Sequence, residues 1–440
     1  MTWKGMVYFI QILLFPTLVF ATADQIHEYR LANGLKLIVK EDHRSPVVLS
    51  SIWYKVGGSY EQDGMTGISH VLEHMMFRGT KHYPAGQFEK MISENGGQQN
   101  AMTTDDQTMY YQQLAADKLP LSFRLEADRM QHLSLTEKDF EKEIQVVMEE
   151  RRMRVDDNPN ATTVERFNAA AYVNNPYHHP TIGWMTDLQH MTVENVRDWY
   201  RTWYVPNNAI VVVVGDVTPE KVYALAKKYF GSIPAVKLPP LKPRIEISSL
   251  GLILVNVQLP AKLPLLLLGY PTPSLVGVNT IWHPYALAVL AAILGGSDSS
   301  RFAKMLVRHQ QIATVAQAAY NPYSLHSNLL TLVGIPSQGH RGQALKQAFL
   351  QQIKELQTTL VSPQEMERVK AQVIAQNVYN KDSLMNQAMD IGTPESIGLS
   401  WRIDQVYVKR IQAVTAEQVQ QVAKIYLLPY ALTVGVLHPQ

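Results

Sequence analysis

Cysteine is absent from all 440 residues. That excludes disulfides, cysteine-linked lipid anchors and every thiolate metal site, so a bound metal would have to use His, Asp or Glu. A chain of this length can bury enough apolar surface to fold without disulfide staples. Net charge is nearly absent too, +2 with His neutral, so neither nucleic acid nor an anionic membrane surface is an obvious partner. There is no low-complexity tract, and apart from the N-terminus no run is apolar and long enough to span a bilayer. What remains is an ordinary globular composition, 46% hydrophobic and 18% charged, at a length that favours two or more domains.

The N-terminus, MTWKGMVYFIQILLFPTLVFATADQ, places Lys4 before an apolar run from Met6 to Phe20, followed by Ala21-Thr22-Ala23. This is the layout of a secretory signal peptide spanning residues 1–23 and cut before Asp24. The run is short for a membrane span of ~20 residues, and Gln11 and Pro16 interrupt it, so no stable membrane anchor is expected.

Strand and helix signals interleave along the rest of the chain, which predicts an α+β or α/β class. EYRLANGLKLIVKED alternates around Asn33-Gly34, a hairpin signal. Residues 47–56 read as a strand running into Gly57-Gly58 and a helix. Asn95-Gly96-Gly97 is turn chemistry, and residues 98–111 read as extended. Four prolines between Pro234 and Pro243 mark a linker. It divides the mature chain into residues 24–233 and 244–440.

The two parts are related. Thr192-Val-Glu-Asn-Val, Tyr204-Val-Pro206 and Ala209-Ile-Val-Val-Val recur as Thr415-Ala-Glu-Gln-Val, Tyr426-Leu-Leu-Pro429 and Ala431-Leu-Thr-Val-Gly. Gly34-Leu-Lys-Leu-Ile-Val similarly finds Gly251-Leu-Ile-Leu-Val. Two segments repeated in the same order imply duplication.

Within the first part, GISHVLEHMMFRGT (residues 67–80) sets His70, Glu73 and His74 on a helix that is otherwise apolar at Ile68, Val71, Leu72, Met75, Met76 and Phe77. Positions three and four apart share a helical face, so the three polar side chains converge. The duplicated segment, Ala286-Leu-Ala-Val-Leu290, has lost every polar member. His-x-x-Glu-His is the zinc-binding arrangement of metallopeptidases in inverted order, with two His ligands and a Glu between them as general base. An open catalytic zinc site needs a third protein ligand. Residues 137–154 read as a charged helix on which Glu143 and Glu150 share a face. Spacing alone does not choose between Glu149 and Glu150.

HVLEH followed by the two spaced glutamates resembles the pitrilysin family of zinc peptidases. So do Phe77-Arg-Gly-Thr80, Glu94-Asn-Gly-Gly97 with Asn100-Ala101, Thr103 and Tyr110-Tyr111, Tyr177-His-His-Pro180 with Ile182-Gly183, and Tyr204-Val-Pro-Asn-Asn208 with Val214-Gly-Asp216. The likeness is strong to about residue 235 and looser beyond. It implies His70, His74 and Glu150 as ligands of one Zn²⁺ per chain, Glu73 as the base, and Glu143 as a carboxylate orienting the ligands. It also implies two homologous α/β-sandwich domains closing as a clamshell around a peptide cavity, the second lacking zinc ligands. An extended substrate would lie along the strand carrying Asn100 and Ala101. The implied activity is that of an exported zinc metalloendopeptidase, most simply of the bacterial periplasm, acting on peptides or unfolded segments.

One departure stands out. Leu294-Gly-Gly-Ser-Asp-Ser-Ser-Arg301 matches the family, but the positions at which relatives carry an Arg and a Tyr that hold the substrate carbonyl are Val307 and Thr314. Three readings follow. A homologous partner subunit supplies the pair in a heterodimer, a homodimer being the other assembly expected; Arg308 or Tyr320 substitutes; or the chain is a weakly active or non-catalytic peptide-binding subunit.

Overall fold

The computed structural model describes residues 26–242, 244–247 and 251–440. The expected signal peptide lies outside them. Among the described residues, eleven strands form two sheets. The first holds β1 (Ile26–Arg30), β2 (Lys36–Glu41), β3 (Val47–Tyr54), β4 (Gln98–Thr103), β5 (Thr108–Ala115) and β6 (Ala209–Gly215), in the order β1-β2-β6-β3-β5-β4. The second holds β7 (Ile253–Leu259), β8 (Leu265–Thr272), β9 (Ala313–Ala319), β10 (Asn328–Pro336) and β11 (Thr433–Pro439), in the order β7-β11-β8-β10-β9. The Asn33-Gly34 hairpin is present between β1 and β2. The extended stretch 98–111 is instead a hairpin, because residues 104–107 turn the chain between β4 and β5.

The duplication is visible in the topology. β6 lies parallel to β2 and antiparallel to β3, and β11 lies parallel to β7 and antiparallel to β8. Each of these central strands follows a helix opened by a reciprocal capping box, Thr192 with Asn195 and Thr415 with Gln418. In such a box the side chains of the first and fourth residues satisfy each other's backbone N–H groups. The repeated threonines are thus helix starts.

Central strands of both sheets are buried on two faces, so β3, β6 and β8 are buried almost throughout, whereas β7 at an edge alternates. Helices from the first half cover one face of the first sheet. They include α1 (Ile68–Met75), α2 (Leu119–His132) and α3 (Glu137–Arg151), packed over Val48, Ile52, Val211 and Val213. α4 (Pro159–Ala171) instead crosses to the second sheet, setting Phe167 and Ala171 against Leu265, Leu267 and Leu437. The other face of the second sheet carries α5 (Trp282–Gly295). α6 (Leu384–Ser396) returns the exchange, placing Ala388 and Ile391 on Leu49, Trp53 and Val212 of the first sheet. Gly392 allows this approach, since a Cβ there would lie 2.2 Å from the Trp53 indole. Between the halves is a cavity of about 590 Å³, lined by Met102, Asp105, Phe167, Tyr323 and Thr393 among others.

Candidate metal centre

α1 is short and begins without a side-chain cap of its own. Gly67, at φ 86°, leads into it, and a Cβ there would lie 2.6 Å from the Ile182 carbonyl oxygen. The open N–H groups are met from a distance. Glu61, fully buried, accepts from Gly67 N–H at 2.6 Å and from Ser69 N–H at 2.8 Å. A carboxylate here satisfies orphan donors and complements the positive end of the helix. Burial nevertheless pushes the Glu61 carboxyl up to about 8, against the pull of these bonds. The helix ends at Met75. Phe77, expected on its buried face, lies beyond it and is 36% exposed, because the chain turns away through Gly79.

α1 packs against α3, and this contact brings the predicted residues together. His70 Nε2 lies 3.8 Å and His74 Nε2 3.2 Å from the same oxygen, Glu150 Oε2. His74 gives its Nδ1 proton to Glu143 at 3.2 Å. Glu149, the alternative that spacing left open, is exposed and pairs with Arg152 at 2.8 Å. Burial, with the neighbouring His74 and Arg154, pushes His70 down to about 3, so its ring is neutral. One ligand atom from each of His70, His74 and Glu150 thus lies within 4.8 Å of the others. Neutral imidazoles with a carboxylate are a zinc donor set, and a second carboxylate on the far nitrogen of a ligating His is its usual companion. The residues present fit a zinc ion.

Glu73, between the histidines, is mostly buried. Burial raises its carboxyl, while the Thr103 hydroxyl, which donates to it, pulls the other way. Thr103 belongs to β4, the strand that also carries Asn100 and Ala101. β4 is the edge of its sheet, pairing only with β5 among the described residues. Asn100 is exposed and accepts from Ala101 N–H at 2.9 Å. Alternation along the strand puts Thr103 on the face of α1 and Met102 on the face of the cavity. The candidate centre and the cavity between the halves are therefore on opposite faces of the first sheet.

Three neighbours were not read from the sequence as parts of the site. Arg154 reaches Glu150 Oε1 at 2.8 Å, Arg78 pairs with Glu143, and Glu61 holds the start of α1. Arg154 follows Glu150 by four residues, a helical spacing that could have suggested the pair. In the second half, α5 takes the place of α1, and residues 286–290 pack into the apolar core. Arg308 donates to the Asp298 carbonyl at 2.6 Å, and Tyr320 to the Pro273 carbonyl at 2.5 Å. Thr314 donates to the Ile335 carbonyl.

Residues 36–184 match the family model described as Insulinase (Peptidase family M16), and residues 190–373 match Peptidase M16 inactive domain. The chain is 32% identical over 360 residues to the zinc protease PqqE of Helicobacter pylori, which covers 80% of this chain and 79% of that protein. It belongs to peptidase family M16. This is the pitrilysin-type assignment that the motifs implied. A crystal structure described as a protease from Helicobacter pylori aligns with a TM-score of 0.90 at 29% identity, over 95% of this chain and 100% of that one. The periplasmic protease PqqL from Escherichia coli shares the fold with a TM-score of 0.79 at 17% identity, over 95% of this chain and 48% of that one. All the candidate site residues of this M16 chain fall inside the first family match, and α5 falls inside the second, inactive one.

Proposed function

We propose that this M16 protein is a zinc metalloendopeptidase holding one catalytic zinc per chain on His70 Nε2, His74 Nε2 and Glu150. The observation that carries the reading is the convergence of the His70 and His74 imidazoles on Glu150, with the partly buried carboxylate of Glu73 beside them. Bound there, zinc supplies Lewis acidity, which makes water a better nucleophile and polarises a peptide carbonyl. Glu73 takes the proton of the attacking water and returns it to the leaving amine. Thr103 holds the Glu73 carboxylate in place, and Glu143 fixes the His74 ring. The open edge of β4 pairs with the backbone of an extended substrate at Asn100 and Ala101. Backbone pairing gives affinity with little sequence preference.

The site lies in a first domain, residues 24–233, joined through 234–243 to a homologous domain, residues 244–440, that has no zinc ligands. We assign the carbonyl-binding Arg/Tyr pair to a homologous partner subunit. Val307 and Thr314 offer no equivalent, and Arg308 and Tyr320 are engaged by carbonyls of their own half. The centre also faces away from the cavity that the two halves enclose, which favours completion from outside. The match to half of PqqL leaves a similar length of that longer chain for a second unit. Export to a periplasm accords with the N-terminal sequence; no helix among the described residues is long and apolar enough to cross a membrane.

The missing pair also favours a second reading, a zinc-loaded subunit that binds peptides and cleaves them poorly. Mass-spectrometric analysis of unfolded polypeptides incubated with the chain, alone and with a homologous subunit carrying the Arg/Tyr pair, separates them. Fragments that appear or multiply when the partner is added support the endopeptidase. No fragments with either preparation, despite retained peptide binding, would select the second reading.

A further inference from the structure

A second cluster with metal-binding chemistry lies outside this centre. Asp128 and His132 are four residues apart on α2 and share a face. Opposite them is His82, in the turn closed by the Gly79–Pro84 bridge. One ligand atom from each of the three lies within 4.8 Å of the others. His132 Nδ1 is 3.0 Å from Asp128 Oδ1, and His82 Nδ1 meets the same oxygen. The rings stand edge to face with centroids 4.6 Å apart. The Thr80 hydroxyl donates to the second carboxylate oxygen, Oδ2.

Three features set this apart from an ordinary surface ion pair. The Asp128 side chain is only 10% exposed, and no Lys or Arg pairs with it among the described residues. Both imidazoles direct a nitrogen at one oxygen, repeating the arrangement at His70, His74 and Glu150. The carboxylate is also oriented by a hydroxyl on its far side, as the carboxylates of metal sites are. The backbone around the cluster is tied down independently of any ion, by Lys81 N–H to the His132 carbonyl at 2.9 Å and Ser134 N–H to the Gly79 carbonyl at 3.0 Å.

We propose that His82, Asp128 and His132 form a second site for a divalent transition-metal ion, zinc foremost. Such an ion clamps the turn that follows α1 to the end of α2. Imidazole and carboxylate donors suit zinc, and three protein ligands leave a further position for water on the exposed side. The role is structural. It stabilises the segment leaving the helix that carries the first centre, and it does not depend on any activity at that centre.

The test is zinc bound per chain, measured after stripping with a chelator and equilibration in zinc-buffered solution, on the full mature chain. The wild type should hold about two equivalents, and both His70→Asn/His74→Asn and His82→Asn/His132→Asn about one. His82→Asn alone removes a side chain that is 58% exposed, so it tests the site with little risk to folding. It should weaken the second equivalent by roughly tenfold or more, and the rise in melting temperature that accompanies that equivalent should be lost with it. One equivalent in the wild type, unchanged in the His82 variants, would overturn the proposal. So would two equivalents that persist in His82→Asn/His132→Asn.

Discussion

His74 is held between two carboxylates at the same separation, 3.2 Å from Glu143 through Nδ1 and 3.2 Å from Glu150 through Nε2. The first contact fixes which nitrogen carries the proton, and the second shows where the free lone pair is directed. Replacing Glu143 by Gln keeps the volume and removes the charge that sets the tautomer. The variant should bind zinc ~10–100-fold more weakly with its fold intact. Chelator competition measures this, and unchanged affinity would remove Glu143 from the site.

Thr103 reaches the site from β4 and holds Glu73 through one hydroxyl. Thr103→Val preserves the strand and the β-branch but frees the carboxylate. Turnover should fall ~10-fold with KM and zinc content unchanged, as for loss of a group that positions a general base. Steady-state kinetics with a fluorogenic peptide decide it. A change confined to KM would instead make Thr103 a substrate contact.

Glu61 titrates where the ordinary carboxylate does not. Burial raises it from the ordinary 4.5 to about 8 in the fold, so between these limits the folded state binds more protons than the unfolded state. Folding stability from this group is therefore fully present below about pH 4.5 and is lost as pH rises towards 8. Glu61→Gln removes the titration. Denaturant unfolding at several pH values should show the wild type losing stability relative to the variant across that window, by up to a few kcal/mol. Parallel profiles would show that the bonds from Gly67 and Ser69 outweigh burial.

The inter-sheet exchange rests on close contacts that a single methyl group would disturb. Gly392→Ala places a Cβ into the Trp53 indole and should cost ~1–3 kcal/mol of stability. Zinc binding should be unaffected, because α6 and the metal centre lie on opposite faces of the first sheet. Equilibrium denaturation with a parallel zinc assay would show both.

Much of this was legible in sequence, for local reasons. The His-x-x-Glu-His spacing needs only helical periodicity to converge. Glu143 and Glu150 share a face for the same reason. The family resemblance selected Glu150 over Glu149; in the packing of α3 on α1, Glu150 lies beside His70 and His74, while Glu149 is exposed and pairs with Arg152. What escaped was non-local. Nothing in residues 159–171 or 384–396 says that each helix covers the other half's sheet, because an apolar face does not name its partner. Glu61 caps α1 across an intervening turn, so no capping motif precedes the helix. Phe77 was misplaced because hydrophobic periodicity continued past the turn that stops the helix at Met75.

Zinc on His70, His74 and Glu150, with Glu73 as base, is proposed to cleave peptides. The most direct test is re-metallation of the chelator-stripped chain with its homologous partner present, following a quenched fluorogenic peptide as zinc is added. Activity should return as the first centre fills. Glu73→Gln should take up the same zinc and recover ~10³-fold less activity or none. Equal recovery in that variant, or cleavage by the stripped protein, would contradict the account.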